Sequence, residues 1–283
     1  MTTPSKRQQL ADELVRVRRS AGLTGRAMAR ILDVKQAQLY RYDKAVTTPS
    51  IPKVRTWLDA CRAAASESVS AEDRTRIVAL AEDAHEEPRS WRALHDVGAR
   101  STQEAIAEQE ADSAEEWCAE SVILPGLLQT PEYAMAAVAR ADLHGQFDHH
   151  AQVAGRLARQ TQMFEPGRRW WFLIAERLLT WSPGSTALMP PQRARLASLA
   201  ETTGVQVAVL PETATLTPSG LWWAPFTIVE PRGGARYVVI EHVHGEQTVV
   251  AQDEVASFRL LWERMWEVAA RGAEALALIR GAG

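Results

Sequence analysis

The sequence of 283 residues has no asparagine, only 4 lysines against 28 arginines, and only 2 cysteines. Cys61 and Cys118 are too few for a disulfide framework or for a structural zinc site, which needs about four ligands in close pairs. We therefore expect two free thiols, no metal and no cofactor. No stretch approaches the roughly 18 apolar residues of a membrane helix, and the first residues lack the apolar core of a secretion signal. These absences predict a cytoplasmic protein with no membrane partner.

Charge is unevenly distributed along the chain, although the formal net charge is only −3. Residues 1–65 hold 13 Lys and Arg against 5 Asp and Glu, whereas residues 66–283 hold 19 against 30. The first segment therefore carries +8 and the rest carries −11. This asymmetry predicts a basic binding module followed by an acidic body.

Residues 1–65 have the periodicity of a small helical domain. Leu10 and Leu14 begin an apolar stripe at helical spacing. Thr24 is placed to cap a second helix, and a short third helix is predicted over residues 36–43. We predict an all-α domain over this segment.

The rest of the chain changes character twice. Residues 66–115 are rich in Ala, Glu, Asp and Ser, which predicts a helical linker. Residues 116–283 alternate short strand-like runs with helical segments, which predicts a mixed α/β (α+β) domain that senses a signal or binds a partner. The predicted strands are Arg169–Ile174, Val205–Leu210, Trp222–Val229 and Tyr237–Glu241, and the predicted helices are Pro131–Arg140, His150–Phe164, Pro191–Thr203 and Glu254–Ile279, the last with a break near Gly272.

Residues 24–50 carry the most informative motif. Two short helices joined by a tight turn, the second in basic surroundings, are what insertion into the major groove of DNA requires. The string TGRAMARILDVKQAQLYRYDKAVTTPS resembles the helix-turn-helix of Xre-type, phage-repressor-like regulators. Ala29 stands where the two helices approach closely, Val34 and Leu39 stand at core positions around the turn, and Pro49 stands where the chain enters a fourth helix. The resemblance implies a phage-repressor-like fold and double-stranded DNA as the partner.

The same resemblance assigns roles to individual residues. Gln36 and Arg41 would read bases, with adenine and guanine as their natural partners, and Ala37 and Tyr40 would face the same groove. Gln38, in the same helix, belongs to the predicted DNA-binding set. Phosphate contacts, which supply most of the affinity, would come from Thr24, Arg26, Lys35, Lys44 and Lys53.

Four positions depart from that family's pattern. Asp33 and Ala45 stand where glycine is usual, Lys35 stands where Ser or Thr caps the recognition helix, and Gly25 replaces a Gln that helps to hold the DNA backbone. These departures leave open a helix-turn-helix that is kept only as a scaffold or dimerisation unit. The charge asymmetry favours DNA binding over that alternative.

A second string, SVILPGLLQTPEYA at residues 121–134, looks like the signature of a domain of unknown function that follows an Xre-type helix-turn-helix in many actinobacterial regulators. We call residues 121–134 the signature string. The likeness extends loosely through residues 156–160, 206–211 and 239–241. It implies a transcriptional regulator, often of differentiation or secondary metabolism, that is frequently paired with a small acidic partner protein.

Several residues of the second domain are candidates for ligand binding. In the Trp170-Trp171 and Trp222-Trp223 pairs, one ring of each pair would face away from the core, although core packing competes as the explanation. His242, His244 and Glu246 alternate along a strand, but a solvated strand end is favoured over a metal site because a fourth ligand is lacking. Glu241 lies on the opposite strand face. The candidate set is Trp171, Trp222, Trp223, Glu241, His242 and His244.

The sequence contains no G-x-S-x-G, H-E-x-x-H, P-loop or G-x-G-x-x-G motif, so we predict no enzyme. We expect a sequence-specific DNA-binding transcriptional regulator whose C-terminal domain receives a small-molecule effector or a protein signal. A homodimer is expected because one short helix reads too few bases. The alternative is a helix-turn-helix scaffold recruited for small-molecule binding or biosynthetic chemistry in the Trp-rich domain. A third hypothesis is an interaction module whose partner protein sequesters the regulator.

Overall fold

The structure is a computed structural model that describes residues 5–90, 103, 106–107, 110–143, 145, 147–214, 224–242 and 245–281. The chain divides into two compact units, Met1–Arg89 and Ser90–Gly283. The first unit is helical and the second is mixed α/β, which confirms the predicted order of fold classes at that level.

The first unit is built from helices that bury one apolar face each. Its helices are α1 (Lys6–Ser20), α2 (Gly25–Ile31), α3 (Gln36–Asp43), α4 (Ile51–Ala64) and α5 (Ala71–Glu86), with a 3-10 turn at Ser66–Ser68. The Ser5 hydroxyl starts α1 by accepting a hydrogen bond from the Gln8 amide at 3.2 Å. Leu14 is fully buried, and its carbonyl accepts a hydrogen bond from the Trp57 indole at 3.1 Å. Such contacts fix α1 against α4.

The first unit extends further than residues 1–65. In α5, Ile77, Ala81 and Ala84 are fully buried in the same apolar cluster as Leu14 and Trp57. The prediction of a linker over residues 66–115 is therefore wrong for its first part, because three small or β-branched side chains of α5 complete the core. Strand β1 (Arg89–Ser90) spans the boundary between the units.

The second unit contains a mixed sheet and the helices that cover it. Its strands are β2 (Ser113–Glu120), β3 (Arg169–Ala175), β4 (Val205–Leu210), β5 (Phe226–Pro231), β6 (Tyr237–His242) and β7 (Gly245–Val249). Its helices are α6 (Pro131–Ala141), α7 (His149–Arg159), α8 (Met189–Ala200), α9 (Gln252–Val268) and α10 (Ala273–Arg280) within the described residues. Shorter 3-10 turns lie at Gly126–Leu128, Gln160–Phe164, Glu176–Leu179 and Thr186–Leu188.

Strands β2 to β7 lie in the order β7-β6-β5-β2-β3-β4. The β2-β3 and β3-β4 pairs are parallel, whereas the β2-β5, β5-β6 and β6-β7 pairs are antiparallel. Parallel and antiparallel halves therefore meet between β2 and β5. It follows that β2, β3, β4 and β6 all point their carboxyl ends to the same edge of the sheet.

The two faces of the sheet are covered differently. One face carries Trp117, Leu173 and Ile228, which pack with Trp262 of α9. The other face carries Trp170, Phe172 and Val207 over β3 and β4, in one cluster with Leu196 of α8 and Ile279 of α10. On the second face, Thr227 of β5 and Val239 of β6 are only half-buried, although Val229 of β5 is buried. This less covered half of the face lies next to β2.

Candidate functional site

The segment predicted as a helix-turn-helix forms α2 and α3, joined by residues 32–35. The Thr24 hydroxyl accepts a hydrogen bond from the Ala27 amide at 3.2 Å and so caps α2, as expected. Asp33 adopts φ 51° in the turn, and Ala45 adopts φ 55° after α3. Both positions have the left-handed backbone that favours glycine. Lys35 precedes α3 and forms no side-chain cap.

Most of the predicted DNA-binding residues share one trait, which is exposure to solvent. Arg41 and Lys53 are half-buried. The Tyr40 ring is 63% exposed, and the Lys44 ammonium lies 5.9 Å from its centre. The exposed residues are Thr24, Arg26, Lys35, Gln36, Ala37, Tyr40 and Lys44.

Gln38 lies inside the unit and does not belong to that surface. Its side chain is buried, and its amide nitrogen donates to the Thr47 hydroxyl at 3.1 Å. Its amide oxygen accepts a hydrogen bond from Arg41 Nε at 2.7 Å. The inclusion of Gln38 among the DNA contacts is therefore wrong, because this side chain orients Arg41 from within.

A partly buried ion pair ties α1 to the end of α3. Arg18 Nη2 lies 2.7 Å from Asp43 Oδ2, and the Arg18 guanidinium lies 6.0 Å from the centre of the Trp57 ring. Burial raises the pKa of Asp43, whereas the charge of Arg18 opposes that rise. The ion pair thus links α1 to the end of α3, and the charge of Arg18 favours the ionised form of Asp43.

The predicted ligand-binding residues that the structure describes lie on two different faces of the sheet. Trp171 lies on the face that packs against α9, where its ring contacts Trp266 at 5.5 Å and its indole donates to Glu115 at 3.3 Å. Glu241 lies on the other face, and His242, its neighbour in β6, points to the face of Trp171. Trp222, Trp223 and His244 lie outside the described residues. Core packing, the competing explanation, accounts for Trp171.

No three metal-binding side chains converge in the part of the chain that the structure describes. None of the helices in that part combines the length and the hydropathy needed to cross a bilayer.

Two carboxylates meet at the carboxyl edge of the sheet. Ala119 pairs with Phe226, and Phe226 pairs with Ile240. One step further along β2 and β6, Glu120 and Glu241 therefore lie on the same face on either side of β5, with their Cα atoms roughly 10 Å apart by strand spacing. The structure thus places two acidic side chains above the less covered half of the sheet.

Helix α7 supplies an arginine at the same edge, against the signature string. The string follows β2 directly, and its Gln129 accepts a hydrogen bond from Arg156 Nη1 at 2.8 Å. Gly126 leaves room for this side chain, since a Cβ there would lie 3.2 Å from Arg156 Cδ and 3.3 Å from Arg159 Nη2. Gln160 then fixes the string by donating to the carbonyls of Gly126 and Gln129 at 3.2 and 2.8 Å. The signature string therefore contacts the side chains of both Arg156 and Arg159 of α7.

The pKa shifts show that Arg156, Glu120 and Glu241 share one environment. Desolvation lowers the pKa of Arg156 to about 10, the charge of Arg159 adds to this, and Glu241 opposes it. Desolvation raises the pKa of Glu120, and the charge of Glu241 raises it further. The pKa of Glu241 is raised by desolvation and then by Glu246, although the side chain is exposed. Protein atoms therefore surround the Glu241 side chain without closing it off from water. We call Glu120, Arg156 and Glu241 the carboxyl-edge site.

A buried charge cluster adjoins this site. Glu110, Glu116, Arg159 and Arg168 are each at most 8% exposed. Arg159 Nη1 lies 3.4 Å from Glu110 Oε1, and Arg168 donates to the Glu110 carbonyl. Burial first, and then the charge of Glu110, raise the pKa of Glu116 to about 8.

This pKa predicts that the second unit loses stability as pH rises. The unfolded chain releases the Glu116 proton near the ordinary pKa of 4.5, whereas the folded chain holds it up to about 8. Folding therefore takes up a proton between these values, and stability falls with pH across that window. We expect Glu116→Gln to flatten the decline in Tm between about pH 5.5 and 8.5, where each kcal/mol corresponds to about 2–4 °C. Glu267→Gln, an exposed position on α9, is the control and should follow the wild type; equal declines in all three proteins would contradict the prediction.

The chain thus has a helical unit with an exposed basic surface and an α/β unit with a group of ionisable side chains beside the signature string. Comparison with known families identifies the second part: residues 103–281 match the domain of unknown function DUF5753, and the chain belongs to this family. Searches of curated proteins and of solved structures gave no match.

Sequence reasoning finds Glu241 but misses Glu120 and Arg156. The sequence feature that could have indicated Arg156 is the family likeness of both the signature string and residues 156–160. These two segments are joined in the structure by the hydrogen bond between Arg156 and Gln129.

Proposed function

We propose that this protein is a DNA-binding transcriptional regulator of the Xre type, whose DUF5753 domain receives a small-molecule or protein signal. The observation that carries the proposal is the exposed basic surface on and around α3, which contains Arg26, Lys35 and Lys44. Phosphates are recognised by such clustered cations, and α3 supplies polar side chains for base edges.

The arrangement of Arg41 supports base reading. Arg recognises guanine with two parallel donors, which requires a fixed guanidinium. The bond from Arg41 Nε to buried Gln38 holds this group from behind, and Gln38 is itself held by Thr47. Gln36 lies exposed in the first turn of the same helix. A cytoplasmic homodimer fits this role, because two such helices about 34 Å apart would read a palindrome.

The salt dependence of DNA binding tests the proposal. Four cations per protomer, Arg26, Lys35, Lys44 and Lys53, predict a slope of log K against log salt of about −3.6 per protomer, or about −7.2 for a dimer. Selection from a random DNA pool followed by titration over a range of salt concentrations measures both preference and slope. A slope near zero, or no preferred sequence, would overturn the proposal.

Two substitutions separate the roles within this surface. Arg41→Ala should reduce the discrimination between bases at one position of the DNA site by about 1–3 kcal/mol. Lys44→Ala should weaken binding to all DNA sequences alike and reduce the magnitude of the salt-dependence slope by about 1. Arg62→Ala removes a charge from an exposed position in the last turn of α4 and should change neither. Identical effects of Arg41→Ala and Lys44→Ala would contradict the assignment of reader and phosphate contact.

A further inference from the structure

The three ionisable groups of the carboxyl-edge site are only partly satisfied by their neighbours. Among the described residues, Arg156, Glu120 and Glu241 form no ion pair with one another or with other side chains. Arg156 Nε and Glu120 Oε2 are inaccessible to solvent and have no hydrogen-bond partner. A polar atom away from water is costly when it has no partner, so these two atoms, beside the exposed Glu241, indicate a site that is completed by a ligand.

The position of these groups in the fold points the same way. Ligands of open α/β sheets bind beyond the carboxyl ends of the strands, where the strand order changes direction. Glu120 and Glu241 end β2 and β6 at this edge, and β2 and β5 are the junction of the parallel and antiparallel halves. Arg156 reaches the same edge from the crossover that connects β2 to β3.

The two signs of charge define the chemistry of the ligand. Gln129 takes one of the five donors of Arg156, and no carboxylate takes the others among the described residues. A guanidinium of this kind suits an anionic group. Burial and neighbouring negative charge raise the pKa values of Glu120 and Glu241, and a cation beside the two carboxyl groups would stabilise their ionised forms. Because the described residues form no group of three metal-binding side chains, an organic amine fits this pair of carboxylates better than a metal ion does.

We propose that the carboxyl-edge site binds a small zwitterion of the amino-acid class, with its carboxylate on Arg156 and its ammonium group between Glu120 and Glu241. This inference rests on the proposed function in one respect, which is that the bound zwitterion would be the signal that the DUF5753 domain receives. Binding itself requires no DNA.

Calorimetric titration of the full-length protein with each of the twenty common amino acids tests the proposal. We expect saturable binding of at least one of them. Arg156→Gln and Glu241→Gln should each weaken that binding about 10- to 100-fold, which is the value of a charge-assisted contact. The matching acid without the amine and the matching amine without the acid should each bind less tightly by a similar factor.

Matched controls lie at the opposite edge of the sheet. Arg169→Gln, at the start of β3, and Glu230→Gln, near the end of β5, remove the same charges there and should leave the affinity unchanged. Because Glu241 is exposed, Glu241→Gln should fold even if Arg156→Gln does not. No binding by any of the twenty, or binding that Glu241→Gln leaves unchanged, would overturn the inference. DNA binding that survives such a result would leave the proposed DNA-binding role intact, whereas amino-acid binding without DNA binding would overturn that role alone.

Discussion

Replacing Arg18 with methionine is expected to lower the free energy of unfolding of the first unit by about 2–3 kcal/mol, which is less than the loss of one partner of a fully buried ion pair because this pair is partly buried. The side chain of Arg18 is 9% exposed and that of Asp43 is 21% exposed. Burial already raises the pKa of Asp43, and the positive charge of Arg18, at 2.7 Å, is the main influence that opposes it. Without Arg18, the end of α3 would hold an uncompensated carboxylate.

Urea denaturation of the full chain, followed by helical circular dichroism, measures this effect. Arg19→Met, at the exposed neighbouring position, is the control and should change stability by less than about 0.5 kcal/mol. The double variant Arg18→Met, Asp43→Leu should recover much of the loss, because no charge then remains unpaired. If Arg18→Met were as stable as Arg19→Met, the ion pair would not hold α3.

Replacing Tyr133 with alanine is expected to destabilise the second unit by about 3–5 kcal/mol, as for other fully buried aromatic residues. Tyr133 is 0% exposed and lies in the apolar cluster that joins the signature string to Phe172 of β3. Its hydroxyl accepts only a long hydrogen bond, 3.5 Å from the Leu124 amide. The ring, rather than the hydroxyl, therefore carries the contribution.

Tyr133→Phe separates the two parts of this side chain and should cost only about 1 kcal/mol. Tryptophan fluorescence during denaturation follows the second unit, since Trp57 is the one tryptophan within residues 1–89. Equal losses in Tyr133→Phe and Tyr133→Ala would show that the hydroxyl, and not packing of the ring, is what stabilises the signature string.

The parts of the fold that sequence can predict are those where pattern and burial coincide. Apart from Arg169 and Gln206, the strands β3 and β4 consist of apolar residues, because both of their faces are covered. The predicted break near Gly272 is real, since α9 ends at Val268 and α10 begins at Ala273. Alternation along β6 also places Glu241 and His242 on opposite faces, as the structure has them.

Other parts depend on tertiary contacts that no local pattern reports. The sequence pattern does not predict strand β2, because its residues, SAEEWCAE, include three glutamates. Glu116 and Glu120 nevertheless lie on the face of the charged groups, and Trp117 and Ala119 supply the apolar face. Helix α5 has the composition of a solvated segment because two of its three buried side chains are alanines.

The candidate sites divide in the same way. Exposure on α2 and α3 follows from helical periodicity, and Gln38 departs from it, since a polar residue can be buried when two neighbours satisfy its amide. The carboxyl-edge site is not predictable, because Glu120 and Glu241 meet only through the register of β5, and Arg156 meets them only through the signature string.

The crossover between β2 and β3 gives the DUF5753 domain a way to diversify. Arg156 belongs to this crossover, whereas Glu120 and Glu241 belong to the sheet. Substitutions in α7 therefore change the positive side of the carboxyl-edge site. The strand pairing that positions Glu120 and Glu241 stays the same. A change in this one helix therefore alters the carboxyl-edge site without a change in the strands that carry its two acidic residues.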